Sequence, residues 1–261
     1  MRRRSFLSKA GATVTSLIGL GVTSDPVSSM SEKPRIIGHR GAGGLAPDNT
    51  IQGIRKAYEN NADGAEIDVR KTKDDKLVLF HNPVMRLDTV RANKIENLEY
   101  PEINRRYAGD KRIPTLDEAL DCFESIDERF ELMVELKADV GREVVSKLEN
   151  RNMTARSTII SFEESMLSGI ESVNRGHLTT VTLPERSIEK ADEYDFSMLS
   201  AYMTPRLQDE FVEESRKRNV EVALWSLYDT RTRIEWAFES GADTLIVNRP
   251  DIANNVMNEY F

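Results

Sequence analysis

From residue 34 onward, short apolar runs alternate with amphipathic stretches, and no Ser/Gly-rich linker or long charge block interrupts them. Nine runs read as strands: 35–38, 64–70, 77–81, 130–137, 157–162, 178–183, 197–202, 220–227 and 244–247. Helical spacing fills the gaps. In 49–61 the apolar residues fall at Ile51, Ile54 and Ala57, the recurrence of one helix face, and Asn49 is the expected N-cap. The segment 115–125 opens with Thr115 and carries Glu118 three residues later, a capping box, and 205–219 opens with Pro205. Further helices are expected over 141–150, 163–174, 230–240 and 251–260. Alternation this regular predicts parallel βα units. The length suits a single TIM (β/α)8 barrel over 34–261, a fold of ~250 residues.

Nine strands is one too many for eight, and the turn at Asp74-Asp75 accounts for the excess. A two-residue loop there pairs Lys73 with Lys76, so 77–81 returns antiparallel along 64–70 as a β-hairpin extension. Asp68 then stands opposite His81, and Glu66 opposite Pro83. The least periodic stretch, 83–113, follows directly and is expected as a short insertion over the active-site mouth.

Alternate residues of a strand share a face. Glu66 and Asp68 therefore point one way, with Ala65, Ile67 and Val69 on the other. Two carboxylates on one face repel unless a cation lies between them, and oxygen-only ligation suits Mg²⁺ or Ca²⁺. A solvated edge strand with scattered acids is the alternative. In 130–137 the apolar face is Leu132, Val134 and Leu136, and the opposite face ends in Glu135 and Lys137 at the C-terminal end, where barrel active sites lie. Glu135 is a candidate third ligand and Lys137 a phosphate contact; a plain ion pair between the two fits equally well. Just past the first strand, His39-Arg40 precedes Gly41-Ala42-Gly43-Gly44. Small residues let backbone amides approach an anion, and Arg is the preferred fork for phosphate.

Composition narrows the field. With 36 Lys+Arg against 44 Asp+Glu the net charge is −8, which leaves no electrostatic footprint for nucleic acid or anionic lipid. A mean hydropathy of −0.49 excludes a multi-span membrane protein. One cysteine, Cys122, permits no intrachain disulfide, and histidine chemistry must come from His39, His81 or His177. His177 is expected at the surface and Cys122 inside a helix. The N-terminus reads as an address: Arg3-Arg4-Ser5-Phe6-Leu7, then a weakly apolar run over 10–22 that is too short for a membrane span. Residues 1–30 are the expected twin-arginine-type export signal, followed by a single domain.

In combination these pieces resemble the glycerophosphodiester phosphodiesterase family. The matching motifs are His39-Arg40-Gly41 through Pro47-Asp48-Asn49-Thr50, then Gly64-Ala65-Glu66-Ile67-Asp68-Val69, Val78 to His81, and Val134-Glu135-Leu136-Lys137. Leu224-Trp225-Ser226 and Gly241-Ala242-Asp243 through Arg249-Pro250 continue the match. The resemblance implies a TIM barrel, one divalent cation held by Glu66, Asp68 and Glu135, acid/base histidines at His39 and His81, and phosphate contacts from Arg40 and Lys137. Trp225 and Phe162, at strand ends, are placed to pack against substrate or equally in the core. The substrate implied is a small glycerophosphodiester, cleaved to glycerol 3-phosphate and an alcohol. Three positions depart from the family pattern: Asp48 where Glu is usual, and Asn82 and Asn248 where Asp is usual. Asn248 is expected to affect the last loop rather than the chemistry. The rivals are a sphingomyelinase D-like phospholipase, a non-catalytic barrel binding protein and a two-carboxylate glycosidase; oligomeric state is left open.

Overall fold

Eight parallel strands close on themselves, because β1 (Arg35–Gly38) pairs with both the last strand and the second. The others are β2 (Gly64–Lys71), β6 (Glu131–Leu136), β7 (Ser157–Ser161), β8 (Asn174–Thr179), β9 (Met198–Tyr202), β10 (Glu221–Trp225) and β11 (Thr244–Val247). Helices α1 (Ile51–Glu59), α3 (Leu116–Glu124), α4 (Gly141–Asn150), α5 (Glu164–Leu167), α6 (Pro184–Tyr194), α7 (Gln208–Arg216), α8 (Arg231–Glu239) and α9 (Pro250–Tyr260) follow the strands in turn. This is the TIM barrel expected from the alternation. The computed structural model describes residues 33–86, 92–106, 112–179, 184–203 and 208–260, so the leader lies outside the described residues. No described helix is long and apolar enough to cross a membrane.

Side-chain alternation builds two cores. Ile37, Met133, Ile160, Leu178, Met198, Ala223 and Ile246 fill the barrel interior. Their neighbours, such as Ile36, Ile67, Val69, Leu132, Val134 and Leu136, face the helices. The strand reading of 64–70 and 130–137 therefore holds: the apolar faces lie outside the barrel, and Glu66, Asp68 and Glu135 lie inside.

The surplus ninth strand is the return strand β3 (Leu77–Leu79), antiparallel to β2. Its register is one residue off the expected pairing. Val69 pairs with Leu79 and Lys71 with Leu77, and the Phe80 amide donates to the Asp68 carbonyl, so Phe80 rather than His81 stands opposite Asp68. The turn explains the shift. It holds three residues, with Asp75 in the left-handed region at φ 61° and the Thr72 amide bonded to the Lys76 carbonyl.

The insertion is less irregular than its composition suggests. A two-stranded ribbon, β4 (Val84–Arg86) with β5 (Ala92–Lys94), leads into α2 (Tyr100–Arg106). Met85, Ile95, Leu98, Ile103 and Ile113 form a separate small core against Val78 of β3.

Four local expectations are corrected. Thr50, not Asn49, caps α1, its hydroxyl accepting from the Gly53 amide, because Asn49 is used elsewhere. The helix expected over 163–174 is the single turn α5, ended at Ser168 before Gly169, whose φ is 72°. The strand expected over 178–183 runs instead over Asn174–Thr179, and 180–183 lie outside the described residues. His177 belongs to that strand and is buried, stacked on Phe196 with ring centroids 5.7 Å apart. Thr115 and Glu118 form the expected capping box, and Cys122 is buried in α3.

Candidate active site

The C-terminal mouth of the barrel holds a pocket of about 220 Å³. His39, Arg40, Glu66, His81, Glu135 and Lys137 line one side, and Ile160, Phe162, Leu178, Trp225, Leu227 and Ile246 the other. Every catalytic, phosphate-contact and metal-ligand candidate named from the sequence except Asp68 lines this pocket, and Asp68 is buried next to Glu66 and Glu135.

Strand β2 presents Glu66 and Asp68, and β6 presents Glu135 beside them, with Asp68 and Glu135 in register. One oxygen from each of the three carboxylates lies within 4.8 Å of the others, and all three side chains are buried. Burial and the repulsion of its two neighbours push the Glu66 carboxyl well up, and burial with Asp68 pushes Glu135 up to about 7. Burial also works against Asp68. There, however, Lys137, His81, an Asn49 hydrogen bond and Arg40 outweigh it and hold its carboxyl below the usual range. The cluster thus strains against its own charge. Glu66 Oε1 and Asp68 Oδ1 are buried with no hydrogen-bond partner among the described residues. Buried carboxylate oxygens that accept no hydrogen bond, gathered from three acidic side chains, are a donor set for a divalent cation, and these residues fit one.

The loop after β1 is folded down onto this cluster. The Arg40 amide donates to Glu66 Oε2 at 2.8 Å, with Arg40 itself at φ 52°. The Gly41 amide donates to the Glu66 carbonyl at 2.8 Å. Gly41 has φ 86°, and a Cβ there would lie 2.6 Å from the backbone of Gly53 in α1. The amides of Gly43 and Gly44 bond the carbonyls of His39 and Asn248. This corrects one expectation: the small residues spend their amides inside the protein, letting the loop press against α1 and β2, rather than offering them to an anion. The Arg40 guanidinium bonds Asp48 Oδ2 at 2.9 Å and lies 3.4 Å from Asp68 Oδ2. Lys137 Nζ bonds Glu135 Oε1 and lies 3.4 Å from Asp68 Oδ1, so the expected Glu135–Lys137 pair exists and is part of the cluster.

Two asparagines have roles the sequence did not show. Asn49, at φ 57°, binds Asp68 twice: Nδ2 donates to Oδ2 at 2.8 Å, and Oδ1 accepts from the Asp68 amide at 2.9 Å. Asn248 reaches His39, with its Oδ1 2.9 Å from His39 Nδ1. Asn248 Nδ2 donates to the Ser226 carbonyl at 3.1 Å, which orients the amide and makes Oδ1 the atom facing the imidazole. Nδ1 of His39 must then carry the proton, which leaves the Nε2 lone pair free. The expectation that Asn248 acts only on the last loop is overturned by this contact. The hints in the sequence were its departure from the family pattern and its place directly after the last strand, β11. Burial, then Arg40, lowers His39 to about 4, so its ring is neutral near pH 7. His81 is partly exposed, bonded through Nδ1 to Asn82 Oδ1 at 3.1 Å. Trp225 contacts Tyr202 and Phe162 edge-on, and its indole N–H has no acceptor among the described residues.

The Glycerophosphoryl diester phosphodiesterase family model matches residues 39–252. A glycerophosphodiester phosphodiesterase from Caldanaerobacter subterraneus subsp. tengcongensis is 27% identical over 245 residues, 87% of this chain and 99% of that protein. Glycerophosphodiester phosphodiesterase 1 of Homo sapiens is 29% identical over 58% of this chain and 50% of its own length. Among solved structures, a glycerophosphodiester phosphodiesterase from Agrobacterium tumefaciens superposes with a TM-score of 0.73 at 24% identity, covering 85% of this chain and 99% of that one. A phosphodiesterase from Oleispira antarctica, in complex with the product sn-glycerol-3-phosphate, gives 0.73 at 21%, covering 86% and 97%. With the family's motif residues gathered in one pocket and the family model spanning nearly the whole barrel, the chain belongs to the glycerophosphoryl diester phosphodiesterase family and is an enzyme of that class.

Proposed function

We propose that the chain is an exported, cation-dependent phosphodiesterase that cleaves glycerophosphodiesters to sn-glycerol 3-phosphate and an alcohol, in lipid and phosphate metabolism. One observation carries the reading: three buried carboxylates, two of them with oxygens that accept no hydrogen bond, cluster at one pocket with two histidines, an arginine and a lysine. Glu66, Asp68 and Glu135 would hold one Mg²⁺ or Ca²⁺, which when bound neutralises charge developing on the phosphoryl oxygens.

The chain's own groups do the rest. Arg40 and Lys137 face the phosphate as a planar fork and a point charge. His39, neutral and with Nε2 free, takes the proton from the glycerol 2-hydroxyl as its oxygen bonds to phosphorus. The bond from phosphorus to the alcohol oxygen breaks, and His81, which enters this step as the imidazolium with Nδ1 bonded to Asn82, gives that oxygen its Nε2 proton. Water then opens the cyclic phosphate at the 2-oxygen with the two histidines reversed. The apolar wall of Phe162 and Trp225 packs against the carbon skeleton, and the free indole N–H is a donor for a substrate oxygen.

A pocket of about 220 Å³ suits a head group rather than a whole lipid. The phospholipase reading would need an apolar rim. Among the described residues, Leu227 and Tyr228, 52% and 68% exposed, stand free beside the mouth, fewer than a lipid-binding patch needs. The test is a product assay on glycerophosphocholine, glycerophosphoglycerol and sphingomyelin, with and without chelator. Choline and glycerol 3-phosphate from the first, lost on chelation, support the proposal; turnover of sphingomyelin alone replaces it with the lipase.

Export rests on Arg3-Arg4-Ser5-Phe6-Leu7. Substituting Arg3→Lys with Arg4→Lys should retain the full-length precursor inside the cell, and unchanged export of that variant would assign the leader to another route.

A further inference from the structure

One group at the mouth has no part in the chemistry above, yet it touches two residues that do. Arg70 follows Glu66 and Asp68 on the same face of β2, two positions past Asp68. Its Nε and Nη2 donate to the His81 carbonyl at 3.0 and 2.8 Å, and its Nη1 donates to the Lys137 carbonyl at 2.8 Å. Both carbonyls lie where the sheet has ended. The β2–β3 pairing stops at Leu79, and the last backbone bond between the two segments is the Phe80 amide to Asp68. β6 stops at Leu136, and the Lys137 amide still bonds Val69, but its carbonyl is past the ladder. A buried or half-buried carbonyl needs a donor, and one guanidinium supplies it to both segments.

We propose that Arg70 is a positioning residue for the reaction, fixing the His81 imidazole and the Lys137 ammonium relative to one another through their backbones. The proposal rests on the phosphodiesterase reading of the site. The guanidinium is planar, so its three donors have a fixed relation, and movement of one segment is passed to the other. A lysine at the same place offers a single point of donors on a flexible stem and cannot hold both carbonyls in one plane. Among the described residues Arg70 is the only donor to either carbonyl, so no other group there takes over when it is lost. It makes no hydrogen bond or ion pair with Glu66, Asp68 or Glu135 among the described residues, but its charge acts through space on Asp68 and Glu135, so the test rests on Arg70→Lys, which keeps that charge and removes the planar fork.

The experiment compares the full-length mature protein with Arg70→Lys and Arg70→Ala on glycerophosphocholine at saturating Mg²⁺. Absence of turnover by the wild type would fail the phosphodiesterase reading and is read before any variant. Given wild-type turnover, Arg70→Lys should lose about tenfold to a hundredfold in kcat, the scale of a catalytic group displaced by around an ångström. KM should change by less than about threefold, and the Mg²⁺ midpoint from calorimetry should match the wild type. Added methylguanidine should restore part of the rate to Arg70→Ala, provided its circular dichroism is native; if that variant does not fold, the Lys variant alone decides. In a cycle with His81→Ala, the Arg70→Lys effect should shrink, since a residue acting through His81 has little left to position. Wild-type kcat in folded Arg70→Lys, a changed Mg²⁺ midpoint that accounts for the loss, or full additivity in the cycle would each overturn the proposal.

Discussion

Asn49 grips Asp68 from both sides, donating to its carboxylate at 2.8 Å and accepting from its amide at 2.9 Å. A residue of the first loop is thereby bolted to the middle of β2. The same contact explains why the helix cap passes one residue on, to Thr50. It also helps keep Asp68 ionised while Glu66 and Glu135 are pushed toward their neutral forms. The triad is therefore unequal, with one carboxylate held charged and two pushed toward the neutral form.

Asn49→Ala leaves the Asp68 amide and one carboxylate oxygen without their partner, in a place water does not reach. Loss of a buried bond to a charged group costs about 2–3 kcal/mol. Urea unfolding should show that loss, and calorimetry should show weaker Mg²⁺ binding in the variant. A stable variant with native cation affinity would mean that Arg40 and Lys137 orient Asp68 unaided.

Asn248 sets the tautomer of His39, so its removal should act on rate rather than on binding. Asn248→Leu deletes the acceptor facing Nδ1 and should lower kcat by about a hundredfold with KM little changed. Asn248→Asp keeps an acceptor in place and should retain most of the rate. Equal activity in the Leu variant would show that the ring is oriented by burial alone.

The metal-free triad makes stability depend on pH in an unusual direction. Glu135 titrates at about 7 in the folded protein against an ordinary 4.5, and Glu66 is raised as well. Between those values the folded state binds more protons than the unfolded one, so stability falls as pH rises. His39, lowered to about 4, acts the other way below about pH 6.5, so the carboxylates show above it: in chelator, the melting temperature should drop from pH 6.5 to pH 8, and excess Mg²⁺ should recover it, most strongly at pH 8. Glu135→Gln should flatten the slope in chelator and weaken Mg²⁺ binding, and Glu66→Gln and Asp68→Asn should weaken that binding too. A melting temperature that rises over that pH range in chelator, or full activity in excess chelator, would remove the cation from the site.

The barrel and the main members of the site could be read from residue pattern because alternation is a local property. Glu66 with Asp68, and Glu135 with Lys137, share faces by period two alone, and closure of the barrel brings the two strands into register. The antiparallel return of 77–81 was also legible, but its register was not. That depended on Asp75 entering the left-handed region, which Asp tolerates without advertising. Contacts made where the first and last strands meet to close the barrel were out of reach. Asn248 and His39 are separated by 209 residues, and nothing near either one marks the other. His177 failed for a related reason: its neighbours Asn174, Arg175 and Gly176 are polar or small, so the strand that buries it begins without an apolar signal. The insertion concealed its small core because Met85, Ile95, Leu98 and Ile103 follow no single period.

The identity of the nucleophile can be decided by the substrate. In a glycerophosphodiester the 2-hydroxyl is already tethered beside the phosphorus, and its attack avoids the entropy of recruiting a free water. The site supplies what that attack requires: a neutral His39 whose proton is fixed on Nδ1 by Asn248, with Nε2 left to accept. Nε2 stands 3.9 Å from Glu66 Oε2, at the edge of the carboxylate cluster, so base and charge-stabilising groups face the same point. His39→Ala and His81→Ala should therefore each nearly abolish turnover while preserving the fold. Diesters with no hydroxyl adjacent to the phosphate should be hardly cleaved, and phosphorus NMR of slow variants should reveal a five-membered cyclic phosphate before glycerol 3-phosphate. A 2-deoxy glycerol analogue turned over at the rate of the natural diester would show that water attacks directly, with His39 activating it instead.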